Sequence, residues 1–214
     1  MLYPNGDAMT QPDNSKISIR IARVLSNLLS PPLIAMGAVT VLAFYSPIGT
    51  GLIQPWQSFL IGIFFVVVGP ILPVALMVAR GKMTFDVKNR RDRPLLYLAA
   101  IIIYFSGALI AWIFHNHAMA VIAIAYAGVT SVIALVSLHW KVSAHSAGVA
   151  GPITGLIWVY GLFFLPFMLL AVLVAWARWK LKLHSPSQLL AGILIAILVT
   201  AVVYWVLWGL QIGL

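Results

Sequence analysis

The sequence predicts an all-α membrane protein, a polytopic bundle of about six to seven transmembrane helices. Hydrophobic residues fill 63% of the 214 positions and charged residues 8%, with a mean hydropathy of +1.05. That is far more apolar side chain than one soluble core can bury. The apolar residues come in runs near the length, about 20 residues, that a helix needs to cross about 30 Å of hydrocarbon. The 13 Lys and Arg residues fall only in alternate connections between these runs, the asymmetry by which loops are sorted across a membrane.

The opening 15 residues, "MLYPNGDAMTQPDNS", lack the apolar stretch of a cleavable signal. Residues 1–15 are expected to form a flexible tail ahead of a single membrane domain over 16–214. Proline, glycine and charge then bound spans near 29–47, 57–79, 95–114, 118–138, 146–160, 163–178 and 186–210. The fifth and sixth runs are short enough to be one long helix, but Gly161 and Pro166 in "YGLFFLP" favour a break. Each half is shorter than the hydrocarbon is thick, so the hairpin should be shallow, tilted or packed inside the bundle.

On this layout Lys16, Arg20 and Arg23 precede the first span, and Arg80, Lys82, Lys88, Arg90, Arg91 and Arg93 separate the second from the third. Lys141 separates the fourth from the fifth, and Arg178, Lys180 and Lys182 the sixth from the seventh. All 13 cations thus share one side, expected to be the cytoplasmic side of the cell membrane. Merging spans five and six would scatter this pattern. Trp56, Trp112, Trp140, Trp176 and Trp179 fall near span ends, where aromatic belts form.

Composition also excludes function classes. A net charge of +9 would suit nucleic acid only on a soluble basic module, and no such module is present, so no nucleic-acid partner is expected. Without cysteine there is no thiolate chemistry. With no glutamate and only Asp7, Asp13, Asp86 and Asp92, the clustered carboxylates of a Mg²⁺-dependent prenyltransferase or phosphotransferase are missing, so neither metal nor cofactor is expected.

Three polar segments on the cationic side each run into a helix start: "DVKNRRDRP" with Pro94 in the first turn, "KVSAHSAG", and "ARWKLKLHSPSQLLAG" over 177–192, where Ser185 can cap and Pro186 can begin the last span. Helix N-termini attract anions, and guanidinium forks fit phosphate oxygens. Lys16, Arg20, Arg23, Lys180 and Lys182 read as topology signals that touch lipid headgroups. Lys88, Arg90 and Arg91 fit that role or phosphate binding equally. His115, His117 and His139 read as interfacial side chains, and Gly148, Gly151 and Gly155 as close-packing positions.

The ordered set Arg93-Pro94, then Ser143-Ala144-His145, then Arg178, five residues and His184, resembles the type 2 phosphatidic acid phosphatase family, which shares its catalytic core with vanadium haloperoxidases. The resemblance covers residues 86–192. It implies that His184 attacks phosphorus, that His145 protonates the leaving oxygen and then activates water, and that Arg93, Arg178, Ser143 and the backbone near Ala144 hold the phosphate, with Lys88 in support. The substrate implied is a lipid phosphate or prenyl diphosphate in the bilayer. Aspartate is usual four residues after the nucleophile, and here that place holds Gln188, which can hydrogen-bond His184 but supplies no charge. The first-motif lysine is replaced by Asp86, a candidate to restore the lost carboxylate. Ala177 stands where serine is usual, and Val142 and Ala144 where proline and glycine are. The alternative reading is a non-enzymatic lipid or anion carrier that keeps the phosphate pocket.

Overall fold

The computed structural model of the chain describes residues 14–82 and 93–212, and every regular element among them is helical. Helix α1 spans Asn14–Leu28 and α2 Pro31–Tyr45. They part at Ser30, held extended (ψ 146°), as a residue before proline prefers. Helices α3 (Pro55–Gly62) and α4 (Gly69–Ala79) are joined by a π-helical turn over Ile63–Val68. Pro70 has no N–H, and its ring crowds the carbonyl four residues back. The wider turn relieves this, with the Gly69 N–H reaching the Phe64 carbonyl.

Helices α5 (Arg93–Ile113) and α6 (His117–Ser137) pack along one another as a hairpin. Asn116 secures the turn between them. Its Oδ1 accepts from the Met119 N–H (3.3 Å), and its Nδ2 donates to Ser58 Oγ on α3 (2.7 Å). Helix α7 (Ala144–Tyr160) is the innermost, with an unbroken buried run from Val149 to Leu156. A 3₁₀ segment, Gly161–Met168, leads to α8 (Leu169–Lys180), and α9 (Pro186–Ile212) closes the bundle.

Six helical stretches among the described residues are long and apolar enough to cross a membrane: Lys16–Tyr45, Pro55–Ala79, Pro94–Ile113, His117–Ser137, Ala144–Lys180 and Pro186–Gly209. The chain is a multi-pass membrane protein. The fifth stretch is itself folded: Gly161 takes φ +76°, which only glycine adopts freely, and α8 returns against α7. The hairpin expected from "YGLFFLP" is therefore present, with α7 packed inside the bundle. The expected spans match the helices to within two residues at each end, except that the sixth, expected from 163, becomes α-helical only at Leu169, after the 3₁₀ segment. The first helix was not expected: α1 begins at Asn14, two residues inside the expected tail, whose residues 1–13 lie outside the described region.

Helices α7 and α9 run parallel in close register. A Cβ at Gly151 would touch Thr200 and Ala196, and one at Gly155 would meet the Tyr204 hydroxyl at 2.8 Å. Gly148 lies equally close to Pro31 of α2. Small residues at this spacing let helix backbones approach and gain dispersion contact where water cannot drive association.

Candidate active site

His184 follows a helix end of defined geometry. At the end of α8 the Lys182 N–H bonds the Trp179 carbonyl (2.8 Å) and the Leu183 N–H bonds the Arg178 carbonyl (3.1 Å). These two bonds close a Schellman motif. Glycine usually takes the left-handed position, as Gly81 does at the end of α4, but here Lys182 does, at φ +55°. The turn hands the chain directly to His184 and then to the cap of α9.

That cap is reciprocal. Ser185 Oγ accepts from the Gln188 N–H (3.3 Å), and Gln188 Oε1 accepts from the Ser185 N–H (3.1 Å), which is a capping box. Gln188, expected to orient His184, thus holds the helix start that follows it. Ser143 is placed similarly. Expected to bind phosphate, it is fully buried, and its Oγ caps α7 by accepting from the Ser146 N–H (3.3 Å) and hydroxyl (3.1 Å).

The two histidine segments are tied together. The Ser143 N–H donates to the Gln188 carbonyl (3.1 Å), and Lys141 Nζ donates to the Leu183 carbonyl (2.8 Å). Gly192 permits this approach: a Cβ there would lie 2.5 Å from the Ser143 carbonyl oxygen. The segments that carry His145, on α7, and His184, before α9, are therefore held beside each other by one backbone–backbone bond and one lysine side chain.

His145, Ala144, Arg178 and His184 all border one cavity of about 620 Å³. The two imidazoles are half-buried, while Arg178, on the last turn of α8, is 5% exposed. Burying a guanidinium costs free energy unless hydrogen bonds or an opposite charge compensate it, which makes Arg178 a candidate for binding an anion. Helix α5 reaches the same space with Tyr97 and Tyr104. Asp86 and Lys88 lie outside the described residues, as does the Arg93 side chain. No carboxylate side chain falls among the described residues, so charge behind His184 has no source there.

Beyond the cationic end the cavity is walled mainly by apolar side chains of α2, α4, α5, α6 and α7. Several hydroxyls interrupt this wall, and three of them stand out. Thr200, Tyr126 and Tyr204 line the cavity, and each has a buried oxygen with no hydrogen-bond partner among the described residues. Sequence reasoning missed them, since a tyrosine or threonine inside an apolar run carries no signature of its own. His115 and His117 lie at the far end of the bundle, in and after the α5–α6 turn, with rings 6.0 Å apart. No protein-family model, curated protein or solved structure matches the chain.

Proposed function

We propose that the protein is a membrane lipid phosphatase that hydrolyses a lipid phosphate or isoprenoid diphosphate through a phosphohistidine. One observation carries this reading: His145, Arg178 and His184, from separate elements, border a single cavity that continues between apolar walls. A phosphate at the cationic end would leave its lipid tail among those walls. In the first step an imidazole nitrogen of His184 bonds to phosphorus as the P–O bond to the leaving group breaks, an ester bond in a lipid phosphate or the anhydride bond in a diphosphate, and His145 gives its proton to the departing oxygen. In the second, water attacks phosphorus, His145 takes the water's proton, and the P–N bond breaks to release phosphate. Covalent catalysis divides one hard displacement into two easier ones, and an imidazole with a pKa near 6.5 suits the proton shuttle. Arg178 stabilises the charge that develops on the equatorial oxygens. The cationic end is assigned to the cytoplasm by the positive-inside rule.

A carrier that binds but does not turn over is favoured by one observation: the side chain of Gln188, at the place where an aspartate would serve His184, is engaged with Ser185 in the cap of α9. Phosphate release by purified protein from farnesyl diphosphate and from phosphatidic acid separates the two readings. Release that disappears in His184→Ala supports the phosphatase. Binding of either lipid without release supports the carrier.

A further inference from the structure

Helix α1 has three faces, and only one meets the bundle. At 3.6 residues per turn, Ile17, Ile21, Val24 and Leu28 fall within about 60° of one another. All four are exposed, at 46, 49, 51 and 60%. Lys16, Arg20, Arg23 and Asn27 occupy the neighbouring sector and are exposed as well. The third face carries Ala22 and Ser26, both buried, on a helix that packs against α8. Leu25 is partly buried near Ala22, and Ile19, 42% exposed, lies between Ser26 and Arg23, so most of the large aliphatic side chains, though not all, point away from the protein along one stripe.

Neither bulk phase suits this helix. If α1 crossed the bilayer, three exposed cations would face hydrocarbon, among the costliest placements a helix can make. If it stood in water, four adjacent aliphatic side chains would lie bare. The boundary between the two satisfies both faces, and the extended Ser30 followed by Pro31 and Pro32 lets the chain turn there into α2.

We propose that α1 lies flat in the headgroup layer at the cationic end, its aliphatic stripe in the acyl boundary and Lys16, Arg20 and Arg23 on anionic lipid headgroups. The position has a consequence for the cavity. Ser26, Asn27 and Ser30 border it, so anionic lipids gathered by α1 collect at its rim. Each cation near an anionic surface raises surface affinity about fivefold, and three together about a hundredfold. The proposal does not depend on phosphatase activity.

The chain contains no cysteine, so single-cysteine variants can carry a spin label without background. Labels at Ile17→Cys, Ile21→Cys, Val24→Cys, Leu28→Cys, Lys16→Cys, Arg20→Cys and Arg23→Cys would be read in phosphatidylcholine vesicles for collision with oxygen and with a water-soluble nickel chelate. The four stripe positions should be oxygen-accessible at one shallow depth, and the three cation positions nickel-accessible. A steady change of depth from residue 17 to 28 would mean a spanning helix and overturn the proposal. Nickel access at every position, or access to neither quencher along the stripe, would overturn it too, by placing the helix in water or under protein. Adding phosphatidylglycerol should enrich that lipid around an Ile21→Cys label, and the triple variant Lys16→Gln, Arg20→Gln, Arg23→Gln should abolish the enrichment. Enrichment that survives the triple variant would refute the headgroup assignment.

Discussion

The contact between Gly192 and the Ser143 carbonyl makes a prediction that reaches from packing to catalysis. An alanine at 192 would put its Cβ 2.5 Å from that oxygen and 3.5 Å from the Ala147 nitrogen. A carbon needs about 3.3 Å from a carbonyl oxygen, so α9 must withdraw from α7 by about 0.8 Å. The obstructing Ser143 oxygen is backbone, so no rotamer change relieves it, while the Ala147 nitrogen is in ordinary contact. Overpacking of this kind costs about 1–3 kcal/mol, or a Tm lower by roughly 2–4 °C per kcal/mol. The same displacement strains the bond from the Ser143 N–H to the Gln188 carbonyl, and with it the spacing between His145 and His184. Misplacement by about 1 Å costs up to about 10²-fold in rate. Thermal unfolding in detergent and phosphate release, measured on Gly192→Ala beside Gly37→Ala, form the assay. Nothing lies within 4 Å of a Cβ at Gly37, so that control should gain about 0.5–1 kcal/mol from better helix propensity. A Gly192→Ala protein as stable and active as wild type would refute the idea that this approach sets the site.

Three further substitutions test separate parts of the structure. Asn116→Ala strands buried Ser58 and the Met119 N–H, so it should lower stability by about 1–3 kcal/mol in thermal unfolding while leaving kcat unchanged, because it acts at the far end of the bundle. Lys182→Gly relieves a left-handed lysine and should raise stability by about 0.5–1 kcal/mol with His184 still in place. Thr200→Val removes a buried hydroxyl that has no partner among the described residues; unfolding should show no loss and up to about 1 kcal/mol of gain. A loss there would mean that the hydroxyl is holding a bound group such as water.

The fold was legible where sequence breaks are strong. Pro94 and Pro186 stand in the first turns of α5 and α9, and Gly161 turns the chain between α7 and α8. Helix α1 escaped because its apolar residues form a stripe rather than a run, and a hydropathy reading detects runs. The π-helical turn escaped because Pro70 and Pro73 announce a disturbed helix without saying how it adjusts. His145, Arg178 and His184, singled out by their ordered spacing, border one cavity. The capping role of Gln188 was readable in principle, since serine at 185 followed three residues later by glutamine is a capping-box signal, and Ser143 ahead of an apolar run is a plain N-cap signal. Lys182 gave no sign, because nothing in a lysine marks a left-handed turn.

The central claim is that His184 carries phosphorus between the two steps. It is tested most directly by rapid quench of protein incubated with an aryl phosphate, whose leaving group needs little proton assistance, followed by mass spectrometry of the peptide containing residue 184. In His145→Ala, water attack should slow more than phosphorylation, so an acid-labile phosphate should accumulate on His184 and be absent from His184→Ala. Phosphate release with no label at 184 under these conditions, or release that persists in His184→Ala, would contradict it.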